Sequence, residues 1–225
     1  MESKKKHILH LILTCLILCA AFFACGQTAR ASYMSNKTEI PVNLEVSGAE
    51  ALCQTEDGYV WIAQYSGLTR YDSKEYVTYK SFQYDGQDFN IINVTALAAK
   101  GNVLYVATSD HLYVYKDYHF EPLVTVNGVI TDIVLDEKSD LLYICTRENG
   151  GIVYDIETGT ESIIPGTEGK AIRNFAPGYE KGRYYYQTDE GVYDQNGNEI
   201  LQNSKIMELY SYRTILYIVE DTGTI

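Results

Sequence analysis

Asp57-Gly58-Tyr59-Val60-Trp61-Ile62-Ala63-Gln64-Tyr65-Ser66-Gly67-Leu68-Thr69-Arg70-Tyr71-Asp72 returns four more times along the chain in weakened form. The second copy is Tyr105-Val106-Ala107-Thr108-Ser109-Asp110-His111-Leu112-Tyr113-Val114-Tyr115-Lys116, and the third runs from Tyr143-Ile144-Cys145-Thr146 through Gly151 to Tyr154-Asp155. Tyr185-Tyr186-Gln187-Thr188-Asp189-Glu190-Gly191-Val192-Tyr193-Asp194 and Tyr217-Ile218-Val219-Glu220 follow. Successive lead aromatics are 44, 38, 42 and 32 residues apart. Self-similarity at roughly 40–45 residues is the spacing of four-stranded propeller blades.

Within each unit the pattern is that of strands. Short apolar and aromatic stretches, such as Leu104–Thr108 and Leu112–Tyr115, are separated by polar or Gly turns. A further apolar stretch precedes each such hairpin (Val94–Ala98, Ile130–Leu135, Ile172–Phe175) and another follows it (Tyr76–Tyr79, Phe120–Val124), making four strands per unit. Gly67, Gly151, Gly191 and Gly223 fall at the bend between second and third strands, where a positive φ is cheapest for Gly. One such sheet cannot cover both its faces, whereas blades set side by side around an axis cover each other's, with the lead aromatics filling the wedge between them. The expected fold is all-β, a propeller of four-stranded antiparallel blades at about 45–80, 91–125, 129–165, 171–202 and 205–225. A β-sandwich is the alternative, but it requires no repeated motif. Helix is expected only in the N-terminal apolar segment.

The first copy resembles the D-G-x-l-W-i-g-t-x-x-G-L-x-r-y-d repeat of the two-component regulator propeller family. The match is close over 57–72; later copies carry Tyr where the motif has Trp, and the Gly-Leu pair becomes His111-Leu112 or Gly191-Val192. The resemblance implies a non-enzymatic, extracytoplasmic sensor module of a bacterial transmembrane receptor. Its output domain would be a histidine kinase or a diguanylate cyclase, and the receptor would be a possible homodimer. Propellers close at 4–8 blades, so four units and about half of a fifth are expected to be the N-terminal part of a longer polypeptide. Ile40-Pro41-Val42-Asn43-Leu44-Glu45-Val46 alternates apolar and polar and is a candidate closing strand.

The N-terminus carries an address. Lys4, Lys5 and Lys6 precede an apolar run from Leu11 to Cys25, and Ala29-Arg30-Ala31 offers a small–x–small cleavage site. Residues 1–31 therefore form a signal peptide; an uncleaved membrane anchor and lipidation at Cys25 are the alternatives. Residues 32–39 are a polar linker, with the partial propeller at 40–225. The whole chain has 18 Lys plus Arg against 30 Asp plus Glu, and without residues 1–31 the balance is 14 against 29, a net −15. Such a surface repels phosphate backbones, so nucleic acid is not an expected partner. Of five Cys only Cys53 and Cys145 lie beyond the apolar segment, in strands of different units, and they are expected to be buried free thiols.

No nucleophile elbow, phosphate loop or Ser-His-Asp arrangement occurs. His111 and His119 have no Cys or carboxylate at ligand spacing, so no metal and no cofactor are expected, and Asp85-Gly86-Gln87-Asp88 is read as a polar turn. The loops between second and third strands should converge on one end of the axis. They offer Tyr65, His111, Arg147, Glu148 and Asp189 as ligand-binding residues for a small molecule or glycan, with Arg147 the cation of an acidic rim. Two rival readings stand beside the sensor. One is an exported lyase or glycoside hydrolase working through two of Asp110, Glu148, Asp189 and Glu190. The other is a scaffold for protein contacts.

Overall fold

The computed structural model describes residues 48–203 and 205–221. They belong to the second of two units, Met1–Val42 and Asn43–Ile225. The apolar segment, the linker and the Ile40–Val46 strand lie outside the described residues. Among those described, every helix-or-strand element is a strand.

Four meanders follow one another, each pairing its strands antiparallel in chain order. The first is β1 (Ala49–Gln54), β2 (Val60–Gln64), β3 (Gly67–Tyr71) and β4 (Tyr76–Tyr79). After a hairpin of β5 (Ser81–Tyr84) and β6 (Gln87–Asn90) comes the second, β7 (Val94–Lys100), β8 (Val103–Thr108), β9 (His111–Lys116) and β10 (His119–Thr125). The third comprises β11 (Ile130–Asp136), β12 (Leu141–Thr146), β13 (Gly151–Asp155) and β14 (Thr160–Ile163). The fourth comprises β15 (Ile172–Pro177), β16 (Tyr184–Thr188), β17 (Gly191–Asp194) and β18 (Glu199–Gln202), and β19 (Ile206–Tyr212) with β20 (Ile215–Glu220) forms a two-stranded fifth sheet.

The sheets meet through their first strands: β7 lies against β1 and β11, β11 against β15, and β15 against β19. The first four lead aromatics point into the interface with the next sheet, and Tyr217 of the fifth stacks on Tyr210 within its own sheet. Trp61 packs with Leu104 and Tyr115 of the second sheet, Tyr105 with Ile133 and Leu142 of the third, and Tyr143 with Phe175 and Tyr186 of the fourth. Tyr185 packs beside Ile206 and Leu209 of the fifth. Burying one such side chain contributes about 1.5–3 kcal/mol, so the repeated aromatic carries much of each interface. At one end the turns between first and second strands are chained together. Asn102 Oδ1 accepts from Asp57 N at 2.8 Å, Lys100 pairs with Asp140, and Lys138 Nζ donates to the Tyr179 carbonyl at 3.1 Å.

Three details differ from the sequence-based expectation. The β5–β6 hairpin belongs to no blade; Asp85 and Gly86, with φ of 50° and 78°, form its tight turn, while Gln87 and Asp88 already lie in the strand. Phe82 and Phe89 stack across it at 5.2 Å, and Phe82 anchors it on Phe120 and Tyr113 of the second sheet. At Gly151 and Gly191 the backbone φ is ordinary, and the reason for Gly is close approach. A Cβ on Gly191 would stand 2.2 Å from the Leu201 carbonyl oxygen and one on Gly151 2.6 Å from the Phe175 ring. Both thiols are free, but only Cys145 is buried, Cys53 being half-buried; burial pushes both thiols above their ordinary range.

The Tyr-Asp that ends the repeat closes the turn after the third strand. Asp72 Oδ1 accepts from Glu75 N at 2.7 Å and Lys74 N at 2.9 Å, and Asp155 Oδ1 accepts from Thr158 N and Glu157 N, both at 2.9 Å. Asp194 accepts from the Asn198 side chain and from the Asn198 and Asn196 amides, each at 2.9 Å. These bonds favour the charged form and hold all three carboxyls below their ordinary value. A carboxyl depressed on folding stabilises the native state above its unfolded pKa of about 3.9, and that contribution is lost as pH falls through the native value. Thermal melts from about pH 6 down to pH 3 should therefore show the midpoint falling below about pH 4, less so in Asp194→Asn.

Candidate functional site

The second strand of three sheets ends in a buried Thr that shapes the loop toward the third. Thr146 Oγ1 donates to the Gly150 carbonyl at 2.6 Å and accepts from Asn149 N at 2.9 Å. Thr108 Oγ1 bridges the His111 carbonyl at 3.2 Å and the His111 amide at 3.1 Å, and Thr188 Oγ1 accepts from Glu190 N at 3.1 Å. The chain entering the next sheet is tied to these loops: Asn93 N donates to the Tyr65 carbonyl and Ile130 N to the Ser109 carbonyl, both at 2.7 Å, and Arg147 N to the Val129 carbonyl at 2.9 Å. Second-to-third loops and inter-sheet linkers therefore share one end. The recurrence of Thr before the bend was visible in the sequence; the role of these threonines was not recognised from it.

Every first strand carries a register shift at its second residue, and these bulge positions are Glu50, Thr95, Thr131, Arg173 and Met207. Bulges re-aim a side chain. Arg173 Nε donates to Asp189 Oδ1 at 2.6 Å.

The five candidate residues do not form one site. Tyr65 and His111 face the same cleft of about 460 Å³ between the first two sheets, together with Asp88, Phe89, Asp110 and Tyr113. Glu148 lines a separate groove of about 580 Å³ beside Val124, Ile152, Glu161 and Glu168. Asp189 is engaged by Arg173, so Arg147 is not the only cation of this end; its side chain is exposed and lines neither cavity.

The cleft between the first two sheets is the best built. His111 stacks on Tyr113 at 5.5 Å and 15°, its Nδ1 is 3.0 Å from Asp110 Oδ1, and Phe89 presents its edge to Tyr113 at 6.1 Å. Tyr113 is buried, and desolvation pushes its hydroxyl up to about 12, so it stays a neutral donor and gives its proton to the Asn90 carbonyl at 3.1 Å. That bond ties β9 to the hairpin. Tyr65 is 74% exposed at the rim. Asp88 Oδ1 accepts from Gln83 Nε2 at 2.8 Å, across the hairpin. Aromatic faces, carboxylates and amides converging on one opening can stack and hydrogen-bond a polar ring. Among the described residues no cluster of three His, Cys, Asp or Glu is arranged to hold a metal ion.

No family model and no curated protein sequence matches the chain. Solved structures do. The designed protein Ika8 superposes with a TM-score of 0.59 at 15% identity over 79% of this chain and 57% of its own. The propeller domain of Myceliophteria thermophila Cps50 (Swd1) gives 0.54 at 12% identity over 72% of this chain and 59% of its own. The fold is a β-propeller. A third similar structure, described as the extracellular domain of a hybrid two-component system from B. thetaiotaomicron, gives 0.50 at 19% identity over 72% of this chain and 26% of its own. The chain thus spans less than two thirds of each of these proteins, and at such identities the likeness establishes the propeller alone. The cleft lies between the first two blades of that propeller, walled on one side by the inserted hairpin.

Proposed function

We propose that the propeller is the extracytoplasmic ligand-sensing module of a two-component-type receptor. In this reading a small molecule or glycan binds in the cleft between the first two blades. The observation that carries it is the convergence of Tyr65, Phe89, His111 and Tyr113 with Asp88 and Asp110 on one opening. Such a set offers ring faces for stacking and carboxylates for hydroxyl groups. The export signal, the resemblance of residues 57–72 to the two-component regulator propeller repeat, and a similar fold in the extracellular domain from B. thetaiotaomicron support placing it in a receptor. Membrane attachment would come from the N-terminal segment where it is retained, and the kinase or cyclase output from a further domain.

Titration calorimetry of the whole chain against an oligosaccharide panel tests this. A binder is expected, with Phe89→Ala and Tyr65→Ala each weakening it by about tenfold, the loss of one good ring contact. Binding that survives both substitutions unchanged removes the cleft from consideration. A second reading, an exported glycoside hydrolase, draws on Asp88 and Asp110 facing the same cleft, since such enzymes use a carboxylate pair about 5–9.5 Å apart. Product release from a polysaccharide, abolished in Asp110→Asn, would favour it over sensing.

A further inference from the structure

We infer that the cleft between the first two blades selects a positively charged, amine-bearing ligand, such as an amino sugar with its amine free, over neutral or acidic ligands of the same size. The inference rests on the reading of this cleft as a ligand site and adds the charge of what it takes.

The lining contains no Lys and no Arg. Its charged groups are the carboxylates of Asp88, on the inserted hairpin, and Asp110, in the second-to-third loop of the next blade. Both are exposed, and their intramolecular partners are neutral or shared: Asp88 takes one hydrogen bond from Gln83, and Asp110 is held by His111 and Ser109. Beside them stand the rings of Tyr65 and Phe89, with His111 stacked on the buried Tyr113. Ring faces attract cations within about 6 Å of their centroids, and the carboxylates reinforce this field. A uronate or sulfated ligand would instead meet two like charges with no Lys or Arg in the lining to answer them and His111 already set against Asp110, on a chain whose balance outside residues 1–31 is −15.

The hairpin localises this chemistry. Among the described interfaces only the first carries an inserted β-hairpin, and it supplies Asp88, Phe89 and Asn90 to the cleft. The groove containing Glu148, Glu161 and Glu168 is also acidic, yet its apolar lining is Val124, Val126, Ile152 and Ile163, with no ring to pair with a cation. The cavity beside Tyr179, Glu180 and Tyr185 joins rings to a carboxylate but also carries Arg183 and Arg213, whereas the cleft combines rings and carboxylates with no Lys or Arg in its lining.

Three tetrasaccharides of matched length provide the test, titrated into the whole chain by calorimetry: one of glucosamine, one of glucose and one of galacturonate. The glucosamine tetramer should bind about tenfold more tightly than the glucose tetramer, with the galacturonate tetramer weakest, and the preference should shrink as salt rises. Asp88→Asn with Asp110→Asn should bring the first two to parity, the loss falling about tenfold more heavily on the glucosamine tetramer than on the neutral one, far-UV circular dichroism reporting that the variant is folded. A neutral tetramer binding as well as the cationic one, and lost in Phe89→Ala, overturns the charge selectivity and leaves the ligand site standing. Cationic binding unchanged in Phe89→Ala overturns it as diffuse attraction to an acidic surface. Failure of all three to bind overturns both readings.

Discussion

Trp61→Ala is expected to cost about 3–5 kcal/mol, the range for deleting a large buried aromatic, and to loosen the interface between the first two blades. Trp61 is fully buried. Its ring meets Tyr115 edge-on at 4.8 Å and stacks on Tyr79 at 6.0 Å, and its Nε1 donates to Thr55 Oγ1 at 3.1 Å. The Arg70 guanidinium lies 4.4 Å from the Tyr59 ring centroid and 6.0 Å from that of Trp61, and donates to the Tyr115 hydroxyl at 3.1 Å. Desolvation pushes Tyr115 up to about 12, which keeps that hydroxyl neutral across ordinary conditions. Removing the indole opens a cavity in the middle of this assembly and takes away one of the three rings around Arg70, the nearer Tyr59 remaining. Trp61→Phe keeps a ring but loses the Thr55 bond and part of the volume, so about 1–2 kcal/mol is expected. Urea midpoints followed by far-UV circular dichroism measure both. Trp61 is the only Trp in the chain, so fluorescence excited selectively at tryptophan reports on this interface. A loss under about 1 kcal/mol for Trp61→Ala would mean that the wedge aromatic does not hold the blades together.

The same residue explains why the fold was legible. A blade must be covered on both faces, and the repeated demand for a large ring at one point of each interface imprints Trp61, Tyr105, Tyr143 and Tyr185 on the sequence at blade spacing. The hairpin left no such imprint. Its strands are four residues each, Phe82 and Phe89 are its only rings turned toward the second blade, and Asp85 and Asp88 give it the look of a polar turn. Half of the candidate site was hidden for that reason. Tyr65 and His111 could be placed because their loop recurs in every unit, whereas Asp88 and Phe89 come from a segment outside the repeat. Arg173 was hidden differently. A strand pattern of period two gives it no special direction, and only the bulge at the start of β15 brings its side chain to Asp189.

Gly150→Ala is expected to cost roughly 2–5 kcal/mol, because two penalties coincide. Its φ of +82° lies in the left-handed region, which costs a residue with a Cβ about 1–2 kcal/mol. A Cβ there would also stand 2.5 Å from the Thr167 carbonyl oxygen and 2.7 Å from Thr167 Oγ1, and overpacking of this kind costs about 1–3 kcal/mol. Thr167 cannot retreat. It is fully buried, its Oγ1 donates to the Ile164 carbonyl at 2.7 Å and accepts from Gly151 N at 3.0 Å, and its carbonyl accepts from Lys170 N at 3.0 Å. Gly150 itself is held from both sides, its amide donating to the Lys170 carbonyl at 3.0 Å and its carbonyl accepting from Thr146. Gly58→Ala is the matched control, since φ there is +90° but nothing lies within 4 Å of a new Cβ. The difference between the two urea midpoints isolates the steric part. Equal losses would show that the linker over the third blade yields. A larger loss at Gly150 would show that the linker is locked to the loop, so that a ligand seated among these loops would meet a preformed surface.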